Sequence, residues 1–158
     1  MKTRLLGAPL LTLVACSPVA DDPPPPEIRL ALLEATYEST PEPAIVFVAR
    51  VPEAQTIPEA ALPWGSPHSV RFTFRGAVGG PRCRVVLHTV GMKVGDVALS
   101  AGEVLHGRVA LREHCRNISD LVAFGPVAVE WEYTPPMGMV ADREIAGVVT
   151  IPRSATVD

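Results

Sequence analysis

Proline sets the first limit on what this chain can fold into. Seventeen prolines and twelve glycines are spread through 158 residues. An interior proline removes a helical hydrogen bond and clashes with the turn before it, so a bundle of long helices is excluded. What survives between the breaks are short runs alternating apolar and polar residues. Val70-Arg71-Phe72-Thr73-Phe74-Arg75 is one, and Val127-Ala128-Val129-Glu130-Trp131-Glu132-Tyr133 is another. A period of two is the mark of a half-buried strand. Further strands are expected at 28–33, 44–50, 82–90, 94–99, 104–112 and 144–151, while the leucines of 30–37 would also suit a helix. Gly79-Gly80-Pro81, Gly125-Pro126 and Pro135-Pro136 supply turns between them. Seven to eight short strands predict an all-β chain with a single antiparallel β-sandwich over residues 27–158. The chain is 47% hydrophobic, too apolar for general disorder. With four Phe, two Tyr and two Trp, most of its core must be aliphatic.

The first residues differ from the rest. Met1-Lys2-Thr3-Arg4 is basic, and residues 5–15 form an apolar run. That run is shorter than the ~20 residues a spanning helix needs, and it fits the core of an export signal. It ends in Leu13-Val14-Ala15-Cys16, which resembles the lipobox of bacterial lipoproteins. The resemblance implies cleavage after residue 15 and a lipid, including palmitate, on Cys16. Membrane association would then run through that lipid. The competing expectation is an ordinary secretory signal cut after Ala15 or Ala20. Ser17, in the second mature position, resembles the residue class that permits export to the outer membrane if the source is Gram-negative. Residues 17–26 read SPVADDPPPP, a composition that favours extended polyproline II and a spacer of roughly 30 Å. The expected organisation is a signal peptide at 1–15, a lipidated cysteine and tether at 16–26, and the sandwich beyond.

Leu99-x-x-Gly102-Glu103, Leu111 and Gly125-Pro126-Val127-x-Val129-x-Trp131-x-Tyr133 resemble the closing half of small bacterial immunoglobulin-like sandwiches, of which the intracellular proteinase inhibitor family is an example. The resemblance implies an immunoglobulin-like fold and transfers no functional residue.

Three cysteines become an even pair once Cys16 is assigned to lipid. Cys83 and Cys115 are then expected to form a disulfide, which an exported chain can keep. This would bring the strand beginning at Arg82 close to the end of the strand 104–112. The rival is a metal site using Cys83, Cys115, His114 and perhaps His88, but no close-spaced ligand pair such as CxxC or HxxxH is present. No cofactor is expected.

Charge is unevenly distributed. Residues 68–116 carry eight basic and three acidic side chains, whereas the segments on either side are acidic. Arg71 and Arg75 share one strand face, and Arg82 and Arg84 another. If those strands paired, four guanidinium groups would form a patch for an anionic glycan, a lipopolysaccharide phosphate or an acidic protein. The alternative, which we prefer, is pairing of the arginines with Glu130 and Glu132 across the sheet. Nucleic acid is not expected, because the chain as a whole is acidic. The loop 51–69 holds Pro52, Pro58, Pro63 and Pro67 around Trp64. Either it presents Trp64 to a partner, or it packs over one end of the sandwich, with room for a helical turn at 58–62. Glu130 and Glu132 stand two apart on one strand, but glycosidases draw their carboxylates from separate elements around a cleft. Ser66 lacks a nucleophile elbow, and His68, His88 and His106 show no triad or ligand spacing. No catalytic residue is assigned. The expected function is that of a lipid-anchored cell-envelope lipoprotein whose sandwich binds or scaffolds an envelope protein or anionic glycan. A protease-inhibitor or chaperone-like module using 51–69 is the alternative, and an envelope carbohydrate hydrolase is the third.

Overall fold

The computed structural model describes residues 27–88, 95–135, 139–141 and 145–154. Cys16, the signal segment and the tether lie outside the described residues. The elements in chain order are β1 (Glu27–Ile28), β2 (Ala31–Glu38), β3 (Ala44–Arg50), β4 (Gln55–Pro58), β5 (Val70–Arg75), β6 (Asp96–Leu99), β7 (Val104–Ala110), α1 (Ile118–Phe124), β8 (Val127–Tyr133), β9 (Val140–Ala141) and β10 (Ala146–Ile151). The two strictest alternating runs are β5 and β8, with the bounds their periodicity predicts.

The chain is all-β and sandwich-like. One antiparallel sheet has the order β10-β8-β5, and a second has the order β2-β3-β7. β4 pairs with β6 antiparallel, and β1 with β9 parallel. Alternation makes one face of each sheet apolar. Ile45, Phe47 and Ala49 of β3 are buried, as are Val127, Val129, Trp131 and Tyr133 of β8. These faces meet at the Phe47 ring, which lies edge-on to Trp131 at 5.2 Å and tilted to Phe72 of β5 at 6.4 Å.

Both tryptophans depend on a strand glycine. Gly147 is opposite Trp131 in the β10–β8 register, and a Cβ there would come within 2.6 Å of the indole. Gly107 of β7 is opposite Phe47, and a Cβ on it would lie 1.7 Å from the Trp64 ring. Trp64 therefore rests on the inner face of the second sheet.

Several expectations need correction. The ambiguous stretch 30–37 falls in strand β2, Ala31–Glu38, rather than a helix, since it pairs along β3. Residues 82–88 are not a strand; among the described residues their β-pairing is one bridge, Val85 to Cys115. Their alternation has no core to face, and Val85 and Leu87 are exposed. The end of 104–112 tightens into a 3-10 turn at Leu111–Glu113. The loop 51–69 contains β4 and a 3-10 turn at Glu59–Ala61. It is pinned to the sandwich by Ser69 Oγ donating to the Ala60 carbonyl and Tyr133 Oη donating to the Ala61 carbonyl, both at 2.6 Å. α1 was not expected; it buries Ile118, Leu121 and Val122, a helical spacing over only seven residues.

Gly107→Ala should lower unfolding free energy by about 1–3 kcal/mol, the usual range for an overpacked core, as measured by urea denaturation. An unchanged midpoint would mean that Trp64 is not seated on this glycine.

Candidate functional site

Among the described residues β5 is an edge strand, because β8 pairs along only one of its sides. Along the other side runs the segment 82–88, a strap without a ladder of its own. Three attachments hold it. Cys83 and Cys115 form the expected disulfide, with Cα atoms 5.5 Å apart. Around the Val85–Cys115 bridge, Val86 N–H donates to the His114 carbonyl and Arg116 N–H to the Arg84 carbonyl. Asn117 completes the attachment, its Oδ1 accepting from Arg84 N–H at 2.7 Å and its Nδ2 donating to the Arg82 carbonyl at 3.1 Å. Among the described residues, no backbone hydrogen bond joins the strap to β5.

The space between them is a cleft. One cavity, of about 560 Å³, runs from Phe72 and Phe74 to Arg82 and Val85. A second, of about 370 Å³, lies between Arg71, Phe72 and residues 85–88. The two meet at Phe72 and Val85. Among the described residues, their ionisable lining is Arg71, Arg82, His68, His88 and His114, with no carboxylate.

The histidines converge through the strap. The antiparallel register sets Val86 opposite His114, so His88 is the diagonal neighbour of His114. Their ring centroids are 5.2 Å apart, and His68 stands 5.9 Å from His88. Phe72 meets the His114 ring at 4.7 Å. His114 is 9% exposed. Burial, helped by the neighbouring His88 and His68, pushes its pKa down to about 4. Among the described residues, His88 Nε2, His114 Nε2 and Thr134 Oγ1 are buried without a hydrogen-bond partner, and all three residues line the smaller cavity. Sequence spacing concealed this group, because the strap crosses an interval that no short motif spans. The disulfide was the available signal, since joining 83 to 115 in antiparallel sense brings 88 towards 114. His106, on β7, is not part of it.

The four arginines separate into two pairs. On the outer face of the first sheet, Arg75 makes a two-pronged contact with Glu130, at 2.5 and 3.0 Å, and Arg71 reaches Glu132 at 3.4 Å. This is the cross-sheet balance preferred from sequence. The four-guanidinium patch built on strand pairing is corrected, because β5 pairs with β8 and 82–84 is not a strand. Among the described residues Arg82 and Arg84 make no ion pair, and Arg84 lies across from Arg116 with no carboxylate bonded between them. The Arg75 hydrogen bond holds the Glu130 carboxyl below its ordinary range, the reverse of what a general acid needs. Trp64 is half-buried against Gly107, which packs its segment against the inner face of β7.

Among the described residues, no three His, Cys, Asp or Glu side chains are arranged to hold a metal ion, and no helix is long and apolar enough to cross a membrane. No protein-family model, curated protein or solved structure matches the chain.

Two measurements check this arrangement. Replacing Cys83 and Cys115 by serine frees a loop whose ends are 32 residues apart. It should cost about 3–4 kcal/mol of stability on the chain-entropy account, and non-reducing mass spectrometry should find the two cysteines linked. Two free thiols would contradict it. A histidine whose folded pKa is depressed is favoured neutral, so unfolding takes up a proton below the unfolded value near 6.5. Its stabilising effect is full above pH 6.5 and is lost as pH falls towards about 4. The loss should amount to roughly 3 kcal/mol at most. Denaturation of wild type against His114→Phe across that window isolates the effect from the carboxylates. Identical pH profiles would overturn it.

Proposed function

We propose that this chain is a lipid-anchored lipoprotein of the cell envelope, with a β-sandwich that serves as a binding module and with the cleft beside β5 as its binding site. Cysteine accounting carries the address. Leu13-Val14-Ala15-Cys16 takes up the odd cysteine, and the remaining pair is a disulfide, a bond that persists in oxidising compartments. What supports a binding role is the cleft itself: open, basic, walled by a sheet edge, and lined by buried polar atoms that no group among the described residues satisfies. An inhibitor-like use of 51–69 has less support, because Ser69, Tyr133 and Gly107 hold that segment in place.

Metabolic labelling with palmitate in a bacterial host tests the anchor. Wild type should take up label and partition with membranes, and Cys16→Ser should do neither. Absence of label, or equal label in the variant, would remove the lipoprotein reading.

A further inference from the structure

The outward groups of β5 follow from two hydrogen bonds. Thr134 N–H donates to the Ser69 carbonyl, and Tyr133 N–H donates to the Ile145 carbonyl on the far side of β8. Antiparallel strands alternate between bonded and non-bonded pairs. Ser69 and Thr134 are therefore a bonded pair, as are Arg71–Glu132, Thr73–Glu130 and Arg75–Ala128 in the same register. Val70, Phe72 and Phe74 consequently turn their backbone N–H and C=O away from β8, into the cleft. Their side chains point towards the core, so the wall of the cleft is a row of backbone donors and acceptors.

We propose that the cleft receives an extended, acidic segment of a partner polypeptide, which adds as a strand to the free edge of β5. This rests on the binding-module reading and names the ligand class. The backbone of Val70, Phe72 and Phe74, unpaired among the described residues, supplies the ladder. The two cavities lie along the edge on either side of Phe72, which lines both. Charge selects its composition. Arg82, which makes no ion pair among the described residues, stands in a described lining that holds no carboxylate, and Arg71 at the other end is shared with Glu132. Glu130 and Glu132 lie on the outer face of the sheet, already engaged by Arg75 and Arg71. An acidic glycan would satisfy the guanidinium groups but could not continue the ladder.

The test uses the purified full chain and a short capped peptide alternating glutamate with valine. Binding is read by fluorescence anisotropy, and the site by hydrogen exchange at the Val70, Phe72 and Phe74 amides. The acidic peptide should bind saturably and protect those amides. Affinity should fall at least tenfold with Arg82→Glu, an exposed strap position, and also when alternate peptide amides are methylated. A lysine–valine peptide should not bind. Circular dichroism confirms that the variant is folded, and Arg82→Ala, with a smaller loss, serves if Arg82→Glu is not. No binding at millimolar peptide, equal binding of the lysine peptide, or indifference to amide methylation would each overturn strand addition. Free glutamate displacing the peptide completely would reduce the site to anion binding and overturn it too. Palmitate labelling is independent of all these readings, so failure of the anchor and failure of the cleft are distinguishable.

Discussion

An indole ring laid flat on a sheet needs a strand position without a Cβ, and both tryptophans of this chain have one. Gly147 provides it for Trp131 and Gly107 for Trp64. In a core with so few aromatics, these seats let the sheets close. Trp131 meets Phe47 edge-on, bringing β8 against β3, and Trp64 brings 51–69 over the inner face of β7. Interior glycine ordinarily weakens a strand. Here each glycine permits the burial of a side chain worth far more than that cost.

The strap is held on different terms. It buries little, and Val85 and Leu87 remain exposed. Its place depends on a covalent link, one β-bridge and the two contacts of Asn117. A segment fixed at one line and free along its length can stand beside a sheet edge without pairing to it. Edge strands are ordinarily blocked against other chains by charge, bulges or a covering element. The strap restricts access to β5 while making no backbone hydrogen bond, among the described residues, to its outward groups.

The sheets were legible in the sequence because burial acts on a period of two. β3, β5 and β8 each have one face in the core, and the bounds of β5 and β8 follow from their alternation. Residues 82–88 alternate as well, but no second face exists for them to bury, so the same pattern carries no strand. α1 was hidden for the opposite reason. Ile118, Leu121 and Val122 show helical spacing over too few residues to stand out beside a proline-rich background. The disulfide could be reasoned from cysteine number, and the Arg71–Glu132 and Arg75–Glu130 pairs from charge on facing strands. The cleft could not. It joins β5 to residues 85–88 and to His114 through the fold alone, and its basic character comes from carboxylates that face elsewhere.

That distribution of charge bears on how a ligand would be held. A backbone hydrogen bond contributes only about 0.5–1.5 kcal/mol net, and ordering an extended peptide costs about 1–2 kcal/mol for each residue fixed. Strand addition at Val70, Phe72 and Phe74 therefore cannot bind tightly by its ladder alone. The balance must come from side chains, and the groups available are guanidinium and imidazole at the cleft and apolar surface on the strap. Specificity then lies in charge and affinity in the sum of many weak contacts, which favours a reversible site. Such a site gains most when its partner is held nearby, since a raised effective concentration multiplies a weak affinity without adding a contact. On the proposed reading, confinement to one membrane would provide it.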